Sequence, residues 1–212
     1  MDYRLFTSMR ELLAFHSEAS RVLVDIPIGL PWKECPARPC DVLARQKLGH
    51  RHVCVFAAPS RAAYQAASKA EARERNLAEL GKSLSEQALG ICAKVAEVDA
   101  LLLSDTRARV REIHPEVCFW AMNNGSPMDD AKTTRAGVQA RLELLSRRLP
   151  QVTDFLARVQ AETPRSQVKA DDVLDALAGY LTARADDTAL CALRGEPSHD
   201  LEGLPMEMLY IA

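Results

Sequence analysis

Aromatic residues make up only 5% of this 212-residue chain, and neither sign of charge dominates: 27 Lys and Arg stand against 29 Asp and Glu. A formal net charge of −2 raises no global positive field. Nucleic-acid binding would therefore depend on a local basic patch or on bound metal ions. No apolar run is long enough to cross a bilayer, and no secretory leader is visible, so a cytoplasmic protein without a membrane partner is expected. The six cysteines (Cys35, Cys40, Cys54, Cys92, Cys118 and Cys191) have no C-x-x-C spacing. That argues against a disulfide framework or a four-cysteine zinc site. Most lie among apolar neighbours, where a reduced thiol packs as a small hydrophobe. Internal repeats and low-complexity segments are also lacking.

What is present is a hydrophobic fraction of 48%, rich in Ala, Leu and Val. This is enough for a packed core and favours closely packed helices. Tyr3–Thr7 has the look of a short strand, followed by a helix that Ser8 or Thr7 caps with Glu11 in the capping-box place. Val22–Val24 is a continuous β-branched and aliphatic run, the mark of a strand covered on both faces. Pro27, Gly29 and Pro31 stop it, which leaves Asp25 at its carboxyl end. From Arg38 to Leu103 the periodicity is helical, with Gly49 and Gly81 where helices would end and an extended piece at "HVCVF". Ala108–Ile113 returns to strand alternation. Helical turns follow at "VCFWAMN" and longer helices at "KTTRAGVQARLELLSRRL", "VTDFLARVQ" and "KADDVLDALAGYLTARA". Gly195–Pro205 reads as loop and "LPMEMLYIA" as a last strand.

Three of these places set an acid beside a buried element. Asp25 ends a strand, and Glu116 follows another in "VREIHPEVCFW". Asp172 and Asp175 share one helix face, with Asp171 beside them. Each has an ordinary explanation: a strand-end cap, a helix cap, or acids suited to a helix dipole. Together they point to a cleft beyond the carboxyl ends of the strands, where open α/β sheets gather ligands. Carboxylates forced together there call for a divalent cation with oxygen ligands, Mg²⁺ or Mn²⁺. Around them, Lys82 and Ser83 open a helix that could hold an anion, without the spacing of a P-loop. Lys132, Thr133, Arg135 and Arg141 form a polar helix face that would be either solvated or turned to phosphates. Arg38 and Asp41 suit an ion pair or a place in the site. His114 is either a satisfied core histidine or a group that orients Glu116 or shuttles protons.

The segments "VDIPIGLP", "RPCDVLARQKLG", "GKSLSEQALGICAKVAEVDALL", "VREIHPEVCFWAMN", "KTTRAGVQARLELL" and "DDVLDALAGYLTAR" together resemble the domain of unknown function 429 family. The resemblance covers about Phe6 to Tyr210. It implies a ribonuclease H-like α/β fold: one domain over residues 1–212, a mixed sheet flanked by helices, and a large helical insertion at 38–103. It also implies a divalent-metal-dependent nuclease. Asp25 would match the acid ending the fourth strand, Glu116 the fifth-strand Glu of resolvase-like relatives, and Asp172 and Asp175 the acids of the C-terminal helix. Family members open with a Gly-Val-Asp-Gly-like strand that supplies a further Asp. That first hairpin is not found in "MDYRLFTSMRELL": either the start codon is assigned too late or the hairpin is lost, and a real loss would impair catalysis and leave a sheet edge free for a second subunit. Two alternatives follow: a non-catalytic binding or assembly module that keeps the fold, and a hydrolase of nucleotides or other small phosphate esters.

Overall fold

The computed structural model describes residues 1–104 and 109–211. Ala108, which opens the second expected strand, lies outside them. Strand β1 (Val22–Val24) pairs in parallel with β2 (Val110–Glu112), Leu23 opposite Arg111. Strand β3 (Leu190–His199) pairs antiparallel with β4 (Pro205–Ile211). A parallel bridge from Ile113 to Leu209 sets β4 beside β2. Parallel neighbours require long crossovers, and here helices supply them. Among the described residues no strand lies against the far edge of β1.

Helix α1 (Met9–Phe15) precedes β1. Between β1 and β2 run α2 (Pro39–Leu48), a 3-10 turn (Gly49–Cys54), α3 (Arg61–Tyr64), α4 (Lys69–Leu80) and α5 (Glu86–Ser104). After β2 come α6 (Pro115–Met122), α7 (Arg135–Ser146), α8 (Val152–Glu162) and α9 (Ala170–Ala183). Their starts follow local chemistry. The hydroxyls of Ser8, Ser60, Ser68 and Thr134 each accept an amide of the first turn. The main core packs Phe119, Leu145, Val152, Leu174 and Ala178 of α6–α9 against Leu209 of β4. A second cluster packs Leu13 and Leu102 on Val22, Val24 and Val110. The six cysteines are free thiols. No described helix is long and apolar enough to cross a membrane.

A buried charge cluster ties the helical block to the strands. Arg61 of α3 donates to both oxygens of Asp99 in α5, at 2.8 and 2.9 Å, and to Asp200 at 2.6 Å. Tyr64 donates to Asp99 at 2.6 Å. Asp200 also accepts amides from Leu30, Glu202 and Leu204.

The chain departs from the expectations in four places. Tyr3–Thr7 is not a strand: it has no strand neighbour, and Tyr3 instead stands edge-on to Phe155 and donates to Glu162. "HVCVF" begins inside the 3-10 turn. The helical periodicity expected to run up to Gly81 breaks between α3 and α4, because Ser68 caps a new start. Strand β3 continues through Gly195 and Pro197, residues that read locally as a loop. The ladder to β4 pairs the residues on either side, Leu190–Arg194 and His199, and the glycine and proline fall in the register irregularity between them.

Candidate functional site

Asp25 directly follows β1, and Ile113–His114 leads from β2 into α6. Pro115 is the first residue of α6, where its missing N–H costs nothing, so the chain turns from strand to helix within one residue. That turn fixes Glu116 in the first helical turn, 3% exposed. Its Oε1 accepts from Arg141 Nη2 at 2.5 Å, while Oε2 has no hydrogen-bond partner. Arg141 is wholly buried and also donates to the carbonyls of Asp130 and Gly137, at 3.1 and 2.9 Å. It belongs to the core, not to the polar helix face where its sequence position places it. The same approach explains Gly137: a Cβ there would lie 2.0 Å from the Ala131 carbonyl oxygen. The turn that carries Lys132 therefore packs on bare backbone.

Asp175 projects from α9 toward the same place, 8% exposed. Lys132 Nζ lies 2.5 Å from its Oδ2, and its Oδ1 has no partner. Burial pushes the Asp175 carboxyl up to about 6; Lys132 opposes the rise, and the nearby charges of Asp25 and Glu116 add to it. Water reaches Asp25 along the cleft, but protein surrounds it on the other sides. That burial raises its carboxyl above the usual range, against the pull of His114, Lys132 and Lys94. Burial works against the charge of Lys132, yet Asp175, with Asp25 and Asp171 behind it, raises its pKa. Asp25, Asp175, Glu116 and Lys132 thus form one electrostatic unit.

Two cavities share this floor. One, of about 410 Å³, opens between the strand ends and the helical block and is lined by Asp25, His114, Glu116, Lys132, Arg51 and Phe56 among others. The other, of about 500 Å³, runs beside Leu23 of β1 and along α9, with Asp25, Lys132, Asp172, Asp175 and Gly179 in its wall. His114 sets Nε2 3.4 Å from the Cys54 carbonyl, and its buried Nδ1 has no partner. Asp172 stands at the rim of the second cavity, but one of its oxygens accepts the Lys169 amide at the start of α9.

Four other expected contacts with phosphate are not assembled here. Arg38 is fully buried; it donates to the Ile28 carbonyl at 3.0 Å and pairs with Asp41 at 3.1 Å and with Glu112. It lines the first cavity, but a guanidinium so engaged braces the wall. Lys82 and Ser83 are exposed, precede α5 without capping it, and line neither cavity; Ser85 supplies the cap, accepting the Ala88 amide. Arg135 is exposed and also lies outside both cavities. The cleft residue that the sequence reading passes over is Arg51. It sits in the 3-10 turn, where no periodicity marks it.

Among the described residues, no three His, Cys, Asp or Glu side chains are gathered closely enough to hold a metal ion. The donor chemistry nevertheless suits a hard cation. Asp25, Glu116 and Asp175 offer carboxylate oxygens, and two of those oxygens are buried without a partner. An unpaired buried acceptor is costly, and a cation entering between these acids would relieve it. Lys132 supplies that positive charge in the structure.

A family model described as "Protein of unknown function (DUF429)" matches residues 2–198, and the chain belongs to that family. No curated protein and no solved structure matches it.

Proposed function

We propose that the protein is a divalent-metal-dependent phosphodiester hydrolase, a nuclease of the ribonuclease H-like class. One observation carries this reading: Asp25, Glu116 and Asp175, from a strand end, a helix start and a helix face, lie near enough for Asp25 and Glu116 to act on the Asp175 carboxyl, with Glu116 Oε2 and Asp175 Oδ1 left unpartnered. These three acids would hold Mg²⁺ or Mn²⁺, with Asp172 at the rim. The ion would lower the pKa of water and steady charge on the leaving oxygen. Lys132 lies where it can pass from Asp175 to a phosphoryl oxygen and neutralise it. His114, which lines the first cavity, would take a proton from the attacking water. Arg141 fixes the orientation of Glu116. The test is hydrolysis of single-stranded, duplex, hybrid and branched substrates with Mg²⁺ or Mn²⁺. Activity that depends on the metal and disappears in Asp25→Asn and Glu116→Gln supports the reading. Equal trace activity in all three proteins rejects it.

A second reading has its own support. Protein cations already face Glu116 and Asp175, and the far edge of β1 carries no strand among the described residues. Both features suit a non-catalytic module that associates through its sheet edge, with a second copy of the chain among the possible occupants. Calorimetry separates the two readings: tight Mn²⁺ binding that Asp175→Asn removes counts against the module.

A further inference from the structure

The two arginines of the first cavity differ in one respect. Arg38 is spent on Asp41, Glu112 and a carbonyl. Arg51 makes no ion pair among the described residues; the Nε of each is buried without a partner, so the difference lies in the ion pairs alone. Arg51 is half-buried, and a guanidinium without an ion pair at a cavity wall is free to take an incoming anion. Arg51 also stands near the hydrolytic floor. The thiol of Cys54 feels Glu116, Arg51 and Lys132 together, so these charges meet in one part of the cavity. The wall beyond them is apolar: Ile26, Val53, Phe56 and Ile91 line it. Val53 is 71% exposed there, a large apolar side chain left open to solvent at the cavity wall. The start of α5 adds the exposed amide side chain of Gln87. A volume of about 410 Å³ is that of a small-ligand pocket.

We infer that this cavity binds one nucleotide unit, a nucleoside monophosphate or the last nucleotide of a strand, with Arg51 holding its phosphate and Phe56, Val53 and Ile91 covering its base. The floor, in the reading proposed above, performs the hydrolysis, and this inference rests on that reading for its chemistry but not for its binding. Arg51 is the specificity-determining cation: it meets the phosphate from the wall while Lys132 meets it from the floor. A guanidinium suits this task because its fork can donate to two phosphate oxygens at once.

The test is calorimetric titration of the full chain with AMP and, separately, with inorganic phosphate, in EDTA and again in Mg²⁺. AMP binds more tightly than phosphate. Arg51→Ala weakens both by about 10-fold or more, the scale of one charge-assisted bond. Phe56→Ala weakens AMP severalfold and leaves phosphate unchanged, while Lys33→Ala, an exposed residue outside the cavity, changes neither. Arg51→Ala should melt like the wild type, because it breaks no ion pair. The inference is overturned if AMP binds in neither condition, if Arg51→Ala binds AMP as well as the wild type, or if phosphate alone binds as tightly as AMP. Its failure is separable from failure of the hydrolase reading. Arg51-dependent AMP binding without hydrolysis of any substrate sinks only the latter. Metal-dependent cleavage of long strands without AMP binding sinks only the former.

Discussion

Two groups of buried acids in this molecule are built in opposite ways. In the Arg61 cluster every carboxylate oxygen has partners: Asp99 takes the guanidinium and Tyr64, and Asp200 takes three amides and Arg61. In the cleft, Glu116 and Asp175 each have one oxygen paired with a cation and one paired with nothing. Low dielectric strengthens a completed network and penalises an open one. The first arrangement therefore holds elements together, while the second holds charge in readiness. Acids that look alike in the sequence separate into these two kinds only when each oxygen is accounted for.

Two substitutions separate the regions most sharply. Asp200→Ala strands the inner face of Arg61 and three amides, and should lower unfolding free energy by about 3–5 kcal/mol in urea titrations while the cleft keeps its chemistry. Asp25→Asn should do the reverse: loss of metal-dependent activity by about 10³-fold, with unfolding free energy within about 1 kcal/mol of wild type. Equal losses of stability in the two variants would remove the distinction.

The next effect is one of pH. The Asp175 carboxyl rises from 3.8 to about 6 in the folded chain. The folded state therefore holds a proton that the unfolded chain has released. The stabilisation from neutral Asp175 is complete below 3.8 and is lost as the pH rises through about 6. Across that window the metal-free protein should lose up to about 3 kcal/mol relative to Asp175→Asn. A difference that stays flat from pH 3 to 7, roughly the range this shift spans, contradicts the shift. Smaller again, Lys132→Met removes the cation facing these acids and should tighten Mn²⁺ binding by about 10-fold in calorimetry. Unchanged affinity would place the ion away from Asp175. Smallest is Ser68→Ala, which loses a cap remote from both clusters, at about 1 kcal/mol.

The parts legible in the sequence were those with a local signature. A β-branched run closed by prolines placed β1 and left Asp25 at its end. The helical periodicity of "KADDVLDALAGYLTARA" placed α9. The HPE triplet marked the end of β2, and the helix expected from Val117 starts two residues earlier, at Pro115. The parts not legible depend on partners distant in sequence. Tyr3–Thr7 alternates like a strand, but pairing needs a neighbouring strand. Strand β3 contains glycine and proline, and its pairing to β4 on either side of them carries it through. Arg141 is one of several polar residues along a helix, and its burial follows from Glu116, 25 residues away. Arg51 lies in a turn without period, so only the cavity singles it out.

The closeness of Gly137 to the Ala131 carbonyl has a consequence for how this cleft tolerates change. Lys132 stands on the turn that this glycine admits, and Arg141, which orients Glu116, donates to carbonyls on both sides of the same contact. One added methyl group would push the turn outward and alter the spacing of the floor charges without replacing any charged residue. The geometry of the cleft is therefore vulnerable at an uncharged position that lines neither cavity. A survey of inactivating substitutions restricted to acids and bases would overlook it.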